Sequence, residues 1–172
     1  NNNRYAGIEL NNSDRNLLAF NSANGTSGAD PNQQFGIYLA SGSDDNNLFG
    51  NNAWYNNITG ITVDNSNHNN LTQNFANNNA VNGINVTSAT WNNLTGNVAL
   101  NNGNTGIYLG SATDNNLTGN FADNNRYAGI VLNNSDRNIL AFNSANGTSG
   151  ADPNQQFGIY LGSGSDDNNL FG

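Results

Sequence analysis

A Gly-Ile dipeptide recurs along the whole chain and limits the folds open to it. It starts at Gly7, Gly36, Gly60, Gly83, Gly106, Gly129 and Gly158, at intervals of 29, 24, 23, 23, 23 and 29 residues. Two residues beyond each Ile stands Leu10, Leu39, Val63, Val86, Leu109, Leu132 or Leu161. About eleven residues after each Gly comes another aliphatic: Leu18, Leu48, Leu71, Leu94, Leu117, Leu140, Leu170. A small residue then recurs as Ala23, Ala53, Ala76, Ala99, Ala122 and Ala145. Apolar positions two apart, in short bursts between polar turns, are strand periodicity. A unit of this length that repeats along the chain buries its apolar face by stacking on its neighbours.

The expected fold is therefore all-β: a parallel β-helix of about seven coils of 23–29 residues, with three short strands per coil. Residues 1–172 form a single uninterrupted solenoid. Roughly a quarter of the residues are Asn, and two columns of them keep the same beat. One is Asn16, Asn46, Asn69, Asn92, Asn115, Asn138 and Asn168; the other is Asn21, Asn51, Asn74, Asn97, Asn120 and Asn143. Stacked Asn side chains can bond to their counterparts one coil away, and Asn tolerates the left-handed backbone of sharp turns. They are expected to form ladders in the turns.

A longer period lies over the short one. Residues 1–50 match 123–172 at 46 of 50 positions, differing only at Asn1/Asp123, Glu9/Val131, Leu17/Ile139 and Ala40/Gly162. Five coils thus make a 122-residue tandem repeat: 1–122 is one repeat and 123–172 begins the next. There is no Met, even at position 1, no signal peptide and no capping element, so the chain is expected to be an excerpt or processed product of a longer array.

The motifs G-I-x-L, N-N-L-T-x-N and the Ala-x-x-N that follows resemble the right-handed parallel β-helix repeat family, which includes pectin-lyase-like and NosD-like proteins. The 122-residue block is most similar to repetitive surface-fibre proteins of archaea and bacteria. The resemblance covers the whole chain and implies the right-handed coil. It implies little about function, because one coil type serves lyases, epimerases, adhesins and fibres.

Charge narrows the partners. Four Arg, no Lys and twelve acids give a net charge of −8, which disfavours nucleic acid and anionic lipid. No apolar run is long enough to insert in a membrane. Without Cys there are no disulfides or thiolate metal sites.

Residues with catalytic chemistry are few. His68 sits in a turn position held elsewhere by Arg15, Asp45, Trp91, Asp114 and Arg137, so it reads as a solvated turn. Glu9 is replaced by Val131 in its own repeat copy. The acid pairs Asp44–Asp45 and Asp166–Asp167 are sequence neighbours, unlike carboxyls that face each other across a sugar. No cofactor is expected; calcium on Asp44, Asp45, Asp166 and Asp167 is the alternative, through the oxygen-rich turn SGSDDNN. The expectation is that the chain is not an enzyme.

What remains is surface chemistry. The insertion GTSGADPNQQ in the longer coils, Gly25–Gln34 and Gly147–Gln156, reads as a projecting loop. Sequons suggest N-glycans, with Asn24 and Asn146 at the base of that loop and Asn11 and Asn133 as further candidates. Outward Tyr38, Tyr108 and Tyr160, with Trp54 near a turn, are candidate contacts. The leading expectation is an extracellular fibre, filament or sheath component at the cell surface, self-associating head-to-tail or laterally. A polysaccharide-binding adhesin shaft is the alternative, and a polysaccharide lyase or epimerase comes third.

Overall fold

A computed structural model of the chain describes residues 3–26, 33–147 and 155–172. It is a right-handed parallel β-helix, and the described residues form strands and turns without a helix. One side of the coil is a longer strand: β1 (Ala6–Asn11), β3 (Phe35–Ala40), β5 (Thr59–Asp64), β7 (Asn82–Thr87), β9 (Thr105–Gly110), β11 (Ala128–Asn133) and β13 (Phe157–Leu161). A second side is a three-residue strand: β2 (Leu17–Ala19), β4 (Asn47–Phe49), β6 (Asn70–Thr72), β8 (Asn93–Thr95), β10 (Asn116–Thr118), β12 (Ile139–Ala141) and β14 (Asn169–Phe171). Each set stacks in order into a seven-stranded parallel sheet. The third side is narrower than a strand: a row of single bridges, Ser22 to Asn52 to Phe75 to Val98 to Phe121 to Ser144.

The recurring aliphatics are the core. Ile61, Val63 and Leu71 of one coil, and Ile84, Val86 and Leu94 of the next, are wholly enclosed. Each such side chain contributes roughly 1.5–3 kcal/mol of burial before ordering is charged against it. Register is strict, with Ile37 opposite Ile61 and Leu48 opposite Leu71. The recurring Gly and Ala pack on each other at the remaining corner. A Cβ on Gly83 would stand 2.7 Å from the carbonyl oxygens of Ala76 and Gly106 and 2.8 Å from the Ala99 Cβ. Space rather than backbone freedom selects glycine there.

Both expected Asn ladders are present, with a third beside them. The backbone N–H of Asn46 donates to Oδ1 of Asn69 at 2.8 Å, and that of Asn51 to Oδ1 of Asn74 at 3.0 Å. The third column runs Asn56, Asn79, Asn102, Asn125, with N–H to Oδ1 distances of 2.9 Å at each step. The amide of Asn51 also donates to Oδ1 of Asn74 and to the Leu18 carbonyl of the preceding coil, so none of its hydrogens is stranded.

Tolerance of left-handed backbone does not explain the ladder Asn. The left-handed residue is the one before each ladder Asn: Asp45 (φ 58°) before Asn46, Gly50 (φ 63°) before Asn51, Tyr55 (φ 56°) before Asn56. Ladder asparagines are selected for their amide, which serves two coils at once.

Candidate functional site

Two surfaces carry chemistry that the core does not need. The first is the outer face of the longer-strand sheet. Gly36 and Ile37 both turn inward, Gly36 against Ala53 and Ile37 into the core, so Phe35 and Tyr38 share the outward face. Their rings stack at 5.1 Å and 19°. Tyr5 meets both edge-on, at 5.3 and 5.7 Å. The Tyr38 hydroxyl donates to Asp64 Oδ2 at 3.2 Å. Partial burial, reinforced by the Asp64 charge, holds that phenol well above the usual tyrosine range.

The cluster is built again one long repeat later. Tyr127, Phe157 and Tyr160 have centroid separations of 5.4, 5.1 and 6.2 Å. Each outward Tyr is followed two positions on by a small residue: Ala40, Gly110 or Gly162. A Cβ on Gly110 would come within 2.7 Å of the Tyr108 ring, so the small residue leaves room for the ring to lie along the strand. The Tyr108 hydroxyl accepts from the amide of Asn133 at 3.3 Å. Of the expected contact residues, Tyr38 and Tyr160 belong to these clusters and Tyr108 stands between them. Trp54 is half-buried, and its enclosed indole N–H has no partner.

The second surface is the corner before the first ladder. Arg15, Asp45, His68, Trp91, Asp114, Arg137 and Asp167 stack there, one per coil. Trp91 is 59% exposed, and Arg137 and Asp114 form an ion pair of 2.8 Å. His68 is exposed beside Trp91 in this column.

The other candidate residues are dispersed. Asp44 Oδ1 accepts from the backbone N–H of Asn67, and the Asp44 N–H donates to Oδ1 of Asp14 at 2.9 Å. Asp136 Oδ1 accepts from the N–H of Asp166 at 2.8 Å in the same way. Asp45 and Asp167 are exposed at left-handed corners. Among the described residues no three His, Cys, Asp or Glu side chains converge. The Asn24 amide donates to Ser22 and its Oδ1 accepts from the backbone N–H of Trp54, while Asn146 donates to Ser144. Asn11 and Asn133 are exposed at strand ends. Most of the two expected projecting loops, residues 27–32 and 148–154, lies outside the described residues.

Comparison with known proteins agrees with this architecture. A family model described as "Periplasmic copper-binding protein (NosD)" matches residues 32–172. No curated protein matches the sequence. Among solved structures, the periplasmic alginate epimerase AlgG is similar with a TM-score of 0.64 and 19% identity, over 95% of this chain and 42% of that one. The mannuronan C-5 epimerase AlgE4 A-module of Azotobacter vinelandii gives a TM-score of 0.71 and 16% identity, over 96% and 54%. Tailspike protein 2 from the Escherichia coli O157:H7 bacteriophage CAB120 gives 0.63 and 14%, over 90% and 23%. The chain thus spans about half or less of each of these structures.

These matches overturn one expectation. The expectation of no enzyme activity relied on His68 in a variable turn, Glu9 lost from its own repeat copy and acid pairs that are only sequence neighbours. Alginate epimerases share this coil stack, so a scarcity of recognisable catalytic residues on a parallel β-helix is no argument against catalysis. The family's copper is a separate matter. Copper sites draw on imidazole, thiolate and thioether donors. This chain has no Cys, no Met and the single exposed His68, so its residues do not fit a copper centre.

Proposed function

The chain belongs to the NosD family, and from that premise we propose that it is a polysaccharide-binding shaft working outside the cytoplasmic membrane. The observation that carries the reading is the duplicated aromatic cluster. Tyr5, Phe35 and Tyr38, and then Tyr127, Phe157 and Tyr160, offer rings on the outer face of the same sheet. Aromatic rings on a rigid surface favour the C–H faces of sugars, while hydroxyls and carboxylates at their edge, here Tyr38 with Asp64, serve sugar hydroxyls. Five coils at about 4.8 Å each separate the clusters by about 24 Å.

The names of the matched proteins support both parts of the reading. The family is described as periplasmic. Two of the structures that share the coil are named for acting on alginate or mannuronan. The shaft itself rests on the long repeat, which preserves the core and ladders along with the surface. Further tandem repeats, or copies meeting end to end, would continue the clusters at the same step.

Co-sedimentation with insoluble or cross-linked polysaccharides, neutral and uronic, tests the proposal. The wild-type chain should sediment with at least one polymer, and the double variant Tyr38→Ala/Tyr160→Ala should lose most of that binding. A wild-type chain that sediments with no polymer overturns the reading and leaves a purely mechanical fibre.

A further inference from the structure

The corner that precedes the first Asn ladder differs from the others. The corner before the third ladder is mostly Asn, at Asn78, Asn101 and Asn124, and the one before the second is often Gly, at Gly50, Gly96 and Gly119. Those are the residues that adopt the left-handed backbone most easily. The first corner contains neither. His68 (φ 56°), Trp91 (φ 60°), Asp114 (φ 59°) and Arg137 (φ 53°) occupy it in four successive coils. A left-handed conformation costs a residue with a Cβ roughly 1–2 kcal/mol. Trp91 gains nothing from the core in return, since most of its surface faces solvent. Phe20 (φ 56°), Gln73 (φ 52°) and Phe142 (φ 55°) hold the same backbone at exposed places in the second corner, so what sets Trp91 apart is the groove beside it.

Three of these corners form one groove. It has a volume of about 450 Å3, with Trp91, Asp114 and Arg137 along the corner and Asn93, Asn116 and Ile139 on the adjoining strands. Such a volume lies within the usual range for small-molecule clefts, roughly 300–1,000 Å3. Arg137 reaches back one coil and forks onto Asp114, with Nε to Oδ1 at 2.9 Å and Nη2 to Oδ2 at 2.8 Å. The fork holds the long Arg137 side chain against Asp114 before any ligand arrives. The adjoining surface is ordered too: the Asn116 amide donates to Asn93 Oδ1 at 3.2 Å, and Thr118 Oγ1 donates to Asn116 Oδ1 at 2.9 Å.

An exposed indole, a planar guanidinium–carboxylate pair and a row of amides together match a pyranose ring, which presents an apolar face and a rim of hydroxyls. Charge decides which kind. Asp114 already neutralises Arg137, and Asp136 and Asp167 act on the same guanidinium. In a chain of net charge −8 a uronate ring would meet repulsion here. We infer that the groove between Trp91 and Arg137 binds a neutral sugar unit of a glycan chain. The inference rests on the polysaccharide-binding reading and narrows it to a second, separate surface.

The two tryptophans make the test direct. In a Trp54→Phe background Trp91 is the sole indole, so its emission reports on the groove. Hexamers of β-linked glucose, mannose and galactose, and hexamannuronate, are each titrated. The expected result is a blue shift and protection from acrylamide quenching with at least one neutral hexamer, and no change with hexamannuronate. Arg137→Gln and Asp114→Asn should weaken that binding by about tenfold, as removal of hydrogen bonds to charged groups does. Trp91→Asn leaves no indole in that background, so its binding is read by calorimetry: it should abolish binding of the neutral hexamer without lowering the melting temperature, because Asn relieves the backbone strain. If no neutral hexamer moves the emission, or hexamannuronate moves it equally, the inference is overturned. If Trp91→Asn still binds that neutral hexamer as tightly as wild type by calorimetry, the groove is excluded while the shaft reading stands. A wild type that binds no polymer sinks both.

Discussion

The side-chain amide of Gln33 donates to Oδ1 of Asn56 at 2.8 Å and to the Ala23 carbonyl at 3.0 Å. Gln33 thereby takes the place of a ladder Asn in a coil lengthened by an insertion. Gln155 repeats the arrangement: its Oε1 accepts from the Asn125 N–H at 3.1 Å, and its amide donates to the Ala145 carbonyl at 2.7 Å. Gln33→Ala should therefore cost about 2 kcal/mol, as buried acceptors left without donors do. Urea melts would measure it. A loss under about 0.5 kcal/mol would mean that water replaces the amide without penalty.

Neighbouring residues in one turn should respond in opposite directions. Asn74→Ala strips the Asn51 N–H and amide of their acceptor and leaves the Leu48 carbonyl unpaired. A loss of about 3 kcal/mol is expected. Gln73 precedes it at φ 52°, exposed, in a column that elsewhere has Gly50, Gly96 and Gly119. Gln73→Gly should raise stability by about 0.5 kcal/mol, the relief of strain less the added freedom of the unfolded chain. Paired thermal melts of the two variants decide the matter by sign alone.

Gly83→Ala adds one methyl group against two carbonyl oxygens at 2.7 Å. Both belong to backbone held by the stack, so neither can yield cheaply. The expected loss is about 3 kcal/mol. Retention of wild-type stability would show that this corner breathes more than its packing allows.

Asp114 should titrate abnormally. The hydrogen bonds from Arg137 hold its carboxyl below the ordinary value of 3.8. Its folded value lies under its unfolded one, so the stabilisation is complete above 3.8 and disappears as pH falls through the lowered folded value. Arg137→Gln should move the Asp114 titration back up toward 3.8, followed by carboxyl NMR. An unmoved titration would show that the pair does not persist in solution.

The parts of this structure legible in the sequence are those that repeat without exception. Ile61, Ile84 and Ile107 announce a shared inward face because a core tolerates little variation. The third ladder was missed. Its Asn56 and Asn79 sit in runs rich in Asn, and Gln33 and Gln155 break the column at the inserted coils. The Phe35–Tyr38 pair was hidden for a different reason. Simple alternation puts residues 36 and 38 on one face, but the inward turn at Gly36 gives that face to Phe35 and Tyr38. At the corner column, variability suggested a solvated turn, and only the backbone angles reveal that Trp91 stays there at a cost.

In both the sheets and the ladders, hydrogen bonds run from one coil to the next: Ala53 to Phe75, Ala76 to Val98, Ala99 to Phe121. They point along the axis of the rod. A load pulling on its two ends therefore opens these bonds a rung at a time, in the manner of a zip rather than a shear joint. Each 23-residue rung that gives way would release roughly 75 Å of extended chain, a step that force spectroscopy can count. A tether built this way lengthens under a tug instead of snapping, and every rung still closed is a template on which the next can wind back.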